Sequence, residues 1–163
     1  MTSRILVAGI GNIFLGDDGF GPEVVRRMSN RFTDGAAVRV VDYGIRGMHL
    51  AYDLLDDWDG LIIVDAVPDR GAPGTVRVFE ANHESFGSTT TLDAHGMDPG
   101  AVFASLRALG GSPPRTIVVG CEVADIQDGI GLSMSVSAAV DNAVQAVEAA
   151  VTMLTSADAV REG

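Results

Sequence analysis

The chain is poor in cysteine and in basic residues. Its 163 residues include one cysteine, Cys121, and 11 lysines and arginines against 22 acidic residues, for a net charge of -11. A single cysteine excludes an internal disulfide framework and a CxxC metal or redox site. The negative charge disfavours nonspecific binding to nucleic acid or to an anionic membrane, because phosphate groups repel it. We therefore expect no nucleic-acid or membrane partner, and the scarcity of cysteine fits a cytoplasmic protein.

Long uninterrupted apolar runs are also missing. The longest apolar-looking stretch, residues 136–154, contains Asp141 and Glu148, and one Asp in mid-membrane costs about 2.5–3.5 kcal/mol on insertion scales. We interpret this stretch as an amphipathic helix. The first residues show neither a long apolar region nor a cleavage site, so we expect no targeting segment.

What is present is an ordinary globular composition. Hydrophobic residues make up 47% of the chain and charged residues 20%, which is typical of a folded domain rather than a disordered segment. The length suits one domain with a real core. We expect a single domain over residues 1–155, followed by a frayed tail over residues 156–163.

Short β-branched runs alternate with helical patterns along the chain. This alternation predicts an α/β fold: a three-layer sandwich with a mostly parallel, five-stranded twisted sheet and helices on both faces. The fourth strand follows a short turn, so we expect it to be antiparallel. The predicted strands are residues 4–8, 38–41, 61–64, 75–79 and 117–120, and the predicted helices are residues 21–32, 48–55, 99–109 and 136–154.

Acidic residues recur where these strands end. Asp17 and Asp18 follow the first strand, Asp42 ends the second, Asp65 the third and Glu122 the fifth. Such acids are commonly helix caps or solvated loop residues, but ligands of open α/β sheets bind at this edge. Asp18 and Asp65 could face one cleft, where a divalent cation would offset their mutual repulsion.

Three histidines could complete such a site. His95 lies in an irregular segment before the third helix, where function is often carried. One imidazole with two carboxylates would suit Zn²⁺ or Ni²⁺. We expect His49, at a helix start, to be structural and His83 to lie on the surface. His83-Glu84 does not complete an HExxH motif, because residue 87 is Gly.

Two other sequence patterns indicate a functional site less strongly. Gly9-Ile10-Gly11 resembles the start of a dinucleotide fingerprint, but the third glycine position is Phe14, and two acids follow. A cysteine at a buried strand end, such as Cys121, usually serves packing. The chain contains no GxSxG elbow and no P-loop.

The run GIGNIFLGDDGFG at residues 9–21 resembles the N-terminal signature of the hydrogenase maturation proteases. These endopeptidases trim the C-terminus of the large subunit of nickel-iron hydrogenases. The likeness continues in order through DYGIRG, LIIVDA, the His95 segment and GLS, so it covers nearly the whole chain. Many relatives have Thr where this chain has Ile45, which removes a hydroxyl near Asp42.

The resemblance implies a helix-flanked twisted sheet and a metal held by Asp18, Asp65 and His95. It implies nickel presented by the substrate, with Zn²⁺ or Cd²⁺ as surrogates. For the hydrolysis, the metal could polarise the carbonyl or activate a water. Alternatively, a carboxylate could act as general base in an aspartic-type endopeptidase, which makes Asp18 and Asp42 the catalytic candidates.

These residues lead to one main hypothesis and three alternatives. The main hypothesis is an endopeptidase that removes the C-terminal peptide from the nickel-loaded precursor of a hydrogenase large subunit. The first alternative is a noncatalytic nickel-binding chaperone of that subunit. The others are a nucleotide-binding protein and a general protease, and the missing motifs argue against both.

Overall fold

The computed structural model describes residues 3–32, 37–81 and 99–162, with only the helical backbone for residues 156–162. These ranges contain five strands, four α-helices and a short 3-10 helix at Gly16–Gly19. The strands are β1 (Ile5–Ile10), β2 (Val38–Gly44), β3 (Gly60–Val67), β4 (Val76–Glu80) and β5 (Arg115–Glu122). The helices are α1 (Phe20–Met28), α2 (Gly47–Asp53), α3 (Pro99–Ala108) and α4 (Met134–Glu162).

The five strands form one sheet in the order β2-β1-β3-β5-β4. The pairs β1–β2, β1–β3 and β3–β5 are parallel, and β4 runs antiparallel to β5. The mostly parallel sheet and its antiparallel fourth strand confirm the prediction. The connection of eight residues between β3 and β4 is too short for the helical crossover that a parallel strand requires.

Alternate residues of the strands supply two separate cores. In β1, Ile5 and Val7 pack with α1 and α4, whereas Leu6 and Ala8 pack with α2 and α3. Every residue of β1 is buried, as expected for a parallel strand covered by helices on both faces. The three-layer architecture predicted from the sequence is therefore confirmed.

The four parallel strands and the last helix are longer than their apolar runs predict. Ladder pairing continues beyond the apolar residues, so Asp42 and Asp65 lie two residues before the ends of β2 and β3, whereas Glu122 ends β5 as predicted. The last helix begins at Met134 and extends to Glu162, through residues for which we expected a frayed tail. The division at residue 155 stays a prediction.

A helix that crosses a bilayer must be both long and apolar. Within residues 3–32, 37–81 and 99–162, none combines enough length with enough apolar character to cross a membrane. α4 is the longest of them, with 29 residues, and one side of it is buried against β1, β3 and α1.

Candidate active site

The order of the strands marks a binding edge. β1 lies between β2 and β3, so the chain leaves β1 to one side and later returns to the other. In open α/β sheets, a ligand crevice forms at the carboxyl ends of the strands that flank such a reversal. Here the 3-10 helix follows β1 at this edge and contacts β3. The crevice therefore lies where the acidic residues of the sequence collect.

Asp18 lies on the 3-10 helix and is half-buried. Its Oδ2 accepts a hydrogen bond from the backbone N–H of Asn12 at 2.8 Å. The turn that brings these residues together needs glycine at position 11, since a Cβ there would overlap the carbonyl oxygen of Asp18. The backbone of the GIGN segment is thus shaped by close contact with the acidic turn.

Asp65 and Asp42 flank the end of β1, one residue apart in level. In the ladder, Asp42 pairs with Gly9 on one side, and Val64, the residue before Asp65, pairs with Gly9 on the other. Two strand spacings separate them, or roughly 10 Å between backbones. Because side chains alternate along strands, Asp65 lies on the same face as Ile63, with α2 and α3. Asp42 lies on the opposite face, with α1.

Asp42 is exposed and forms part of a cleft beside α1. Its Oδ1 accepts a hydrogen bond from Gly44 N–H at 2.9 Å. The cleft measures about 270 Å³. Its wall also includes Ile13, Glu23, Arg26 and Ile130, of which Glu23 and Arg26 form an ion pair. The structure therefore separates Asp42 from Asp65, although both lie at the same edge of the sheet.

The predicted metal site involves two described carboxylates, Asp18 and Asp65. His95 and His83 lie outside the described residues, so the three-ligand set stays a prediction. No three His, Cys, Asp or Glu side chains in the described part of the chain are grouped so that they could hold a metal ion. His49 is exposed in the first turn of α2 and belongs to no such group.

Asp17 is fully buried and serves the architecture of the edge, although its position next to Asp18 placed it among the candidate cleft acids. Its Oδ2 accepts hydrogen bonds from Ala124 N–H, Asp125 N–H and the Ser133 hydroxyl. Its Oδ1 accepts one from Ser133 N–H at 2.6 Å. Burial alone would raise the pKa of this carboxyl, but the four donors together hold the pKa below its ordinary value.

Glu122 is likewise a structural acid and no part of the cleft. It is fully buried at the end of β5, and its Oε2 lies 2.6 Å from Nη2 of Arg77 on β4. Its Oε1 accepts hydrogen bonds from Arg70 N–H and Ala72 N–H. The Arg70 N–H bond and the Arg77 guanidinium hold its pKa below the ordinary value despite burial. The carboxylate thus fixes the turn between β3 and β4.

Residues 22–150 of the chain match the family model for hydrogenase maturation proteases. The chain belongs to the hydrogenase maturation protease family. It is 33% identical over 148 residues to the hydrogenase 2 maturation protease of Escherichia coli, with 90% of each chain covered.

Solved structures agree with this assignment. The maturating endopeptidase HybD of Escherichia coli superposes with a TM-score of 0.79 at 32% identity, covering 92% of this chain and 93% of that one. A hydrogenase 2 maturation peptidase from a thaumarchaeote gives a TM-score of 0.69 at 30% identity, covering 92% and 99%. The protein is therefore a hydrogenase maturation endopeptidase, which favours the main hypothesis over a noncatalytic chaperone.

The two weaker sequence signals have structural explanations in this maturation protease. Cys121 is buried in the core formed with α1 and α4, and burial raises the pKa of its thiol to about 11. A neutral, inaccessible thiol is a poor nucleophile. Gly9 allows close packing of α1, since a Cβ there would meet Val25 and the carbonyl of Gly21. Packing therefore accounts for both residues without a nucleophilic cysteine or a nucleotide site.

The role of Asp17 was missed by sequence reasoning. Two acids in succession, GDDG, look equivalent in the sequence, and only one of them is buried. Its main partners, the backbone N–H groups near residues 124 and 133, lie more than 100 residues away. A backbone donor leaves no mark in the amino-acid sequence, so this hydrogen-bond network had no signal that could reveal it.

Proposed function

We propose that this maturation protease removes the C-terminal peptide from the nickel-loaded precursor of a nickel-iron hydrogenase large subunit. The placement of Asp18 and Asp65 is the observation that carries the proposal. Both are half-buried at the switch point of the sheet, on the 3-10 helix and on β3, which contact each other. The family supplies the reaction class, and this pair supplies an anionic edge that can distinguish a metal-bearing substrate from an empty one.

Nickel enters this proposal as part of the substrate. Carboxylate and imidazole groups bind borderline divalent ions such as Ni²⁺, so Asp18, Asp65 and His95 together would meet nickel that the precursor already holds. Zn²⁺ or Cd²⁺ would serve as surrogates. Asp18 and Asp65 are half-buried at this edge, and in this proposal the metal that they meet arrives with the precursor. An empty precursor would offer these groups no metal ion to bind.

Asp42 is the group best placed to act as general base. It is exposed in the cleft, and Gly44 N–H fixes one carboxylate oxygen. Among the described residues, no donor reaches its other oxygen, which is open to a water molecule. In hydrolysis, Asp42 would take a proton from that water as its oxygen bonds to the peptide carbonyl. The carbon–nitrogen bond then breaks, and the proton passes to the departing amine.

Intact-mass analysis of the precursor tests this proposal. The purified protein is incubated with the nickel-loaded precursor of the same organism, with the apo precursor, and with the Asp18→Asn variant. We expect a mass loss equal to one C-terminal peptide only for wild-type protein with loaded precursor. Asp141→Asn is the matched control, because Asp141 is exposed on α4 and its loss should leave processing unchanged.

The other outcomes are equally informative. Full processing by Asp18→Asn would contradict the role of this carboxylate. A loss of processing supports that role when the circular dichroism of the variant equals that of the wild type. Equal processing of apo and loaded precursor would contradict the nickel gate. An unchanged precursor mass together with a stable complex on a sizing column would instead support the chaperone alternative.

A further inference from the structure

Two loops at the active edge carry large apolar side chains in solvent. Ile13 and Phe14 follow β1 and are 47% and 61% exposed, and Ile130 follows β5 and is 77% exposed. Residues 12–16 and 129–134, which contain them, include no charged residue, although the whole chain carries a net charge of -11. We name these three side chains the apolar lip. Large exposed apolar side chains gathered on a strongly acidic protein indicate an interaction site.

The two loops are held together by their backbones. Gly129 N–H donates to Phe14 O at 2.8 Å, and Gly16 N–H donates to Gly129 O at 2.9 Å. Leu15 and Gly129 form an isolated parallel bridge. Next to it, the buried Asp17 carboxylate binds both ends of the second loop, through Ala124 and Ser133. The backbones that carry the lip are thus joined before any partner binds, which reduces the backbone entropy lost on association.

The lip continues into the cleft that contains Asp42. Ile13 and Ile130 line that cleft together with Asp42. Its volume, about 270 Å³, is below the roughly 300–1,000 Å³ of sites that enclose a whole small molecule. An open cleft of this size accepts a side chain of a polypeptide, while the exposed part of the lip remains available for neighbouring residues of the same polypeptide.

We propose that the apolar lip binds an apolar segment of the precursor next to the bond that is cut. This inference rests on the proposed function, because it takes the precursor as the occupant. A second copy of the chain fits less well, since two molecules that each carry a net charge of -11 repel each other. Apolar contact also allows an acidic protease to bind a polypeptide that has no basic patch.

Substitution of the lip tests the inference. Phe14→Ala, Ile130→Ala and the double variant are assayed for kcat and KM with the nickel-loaded precursor, and for direct binding to it. We expect the double variant to raise KM and the dissociation constant roughly tenfold, the size of an interface hot spot, with kcat within about twofold of wild type. Met153→Ala is the matched control, because Met153 is 46% exposed in the second half of α4.

Each remaining outcome has one meaning. Unchanged KM and binding in the double variant would overturn the lip and leave the proposed function intact. A loss confined to kcat would also overturn it, because the lip would then act on the reaction rather than on docking. If wild-type protein binds the precursor without shortening it, the proposed function fails, and the binding arm still tests the lip. Self-association of wild type that the double variant abolishes would assign the lip to a second copy.

Discussion

At the scale of single residues, Asp17 accepts four hydrogen bonds from a loop more than 100 positions away. An Asn at this position keeps one accepting oxygen and turns an NH₂ group toward backbone N–H donors, whichever way the amide is placed. Hydrogen bonds to a charged, buried group are worth about 1.5–3 kcal/mol. We therefore expect Asp17→Asn to lower the free energy of unfolding by roughly 2–3 kcal/mol at pH 7, measured by urea denaturation.

The pH dependence of this loss gives the prediction its internal check. The pKa of Asp17 is lowered in the folded state, so its stabilisation is complete above the unfolded pKa of about 3.9 and is lost as pH falls through the folded pKa. The difference between wild type and Asp17→Asn should therefore shrink below about pH 4. A difference that stays constant down to pH 2 would contradict the assignment. Asp141→Asn should change stability by less than about 0.5 kcal/mol.

Substitution of Asp42 distinguishes the hydrolysis step from substrate binding. If it takes the proton from water, Asp42→Asn should lower kcat for precursor processing by about 10²- to 10⁴-fold. KM should change little, because the apolar lip and the Asp18–Asp65 edge remain. The side chain is exposed in a cleft, so we expect the thermal midpoint to move by less than about 2 °C. A variant with wild-type kcat would exclude Asp42 as the base.

At the scale of elements, the start of α1 is pressed against the ends of two strands. A Cβ on Gly21 would overlap the backbone carbonyl oxygens of Val64 and Ile10. Neither oxygen can move alone, because each belongs to a strand within the sheet. The glycine therefore sets how closely α1, and the 3-10 helix before it, approach β3. Substitution here should disturb both stability and the position of Asp18.

We expect Gly21→Ala to lower the free energy of unfolding by roughly 1–3 kcal/mol, as overpacking does. Precursor processing should fall even at a temperature where the variant is fully folded, since the turn that carries Asp18 is displaced with α1. Asn142→Ala is the comparison variant, because Asn142 is exposed on α4 and should leave both measurements unchanged. Full processing by folded Gly21→Ala would show that the position of Asp18 tolerates the shift.

The strands and helices could be predicted from the sequence, but the candidate active site could be predicted only in part. Apolar runs such as residues 61–64 identify a buried strand directly, because a central parallel strand has no polar face. The apolar residues do not say where ladder pairing stops, so the run predicts a strand that ends at Asp65, whereas β3 continues to Val67. The strand-end rule located the edge of the sheet. It could not separate Asp17 and Glu122 from the cleft, since burial there is set by distant backbone donors and by Arg77.

At the scale of the whole molecule, two cores share one sheet. Met28 of α1 is buried in the core on one face, and Leu106 of α3 is buried in the core on the other. We expect neither core to persist alone, because the strands that separate them contribute alternate residues to both. This architecture implies a single cooperative unfolding transition. The only tryptophan of the chain, Trp58, packs against the α2–α3 core. Its fluorescence therefore follows the unfolding of the core on that face of the sheet.

A substitution on the opposite face tests that cooperativity. Met28→Ala removes a fully buried side chain and should cost about 2–5 kcal/mol. If the cores unfold together, Trp58 fluorescence and far-ultraviolet circular dichroism should move to the same lower urea midpoint, with an unchanged m-value. Leu106→Ala, on the face of Trp58, should give the same coincidence. A Trp58 transition that stays at the wild-type midpoint in Met28→Ala would show that the sheet divides the molecule into two units, because the α2–α3 core would then persist after the α1–α4 core is lost.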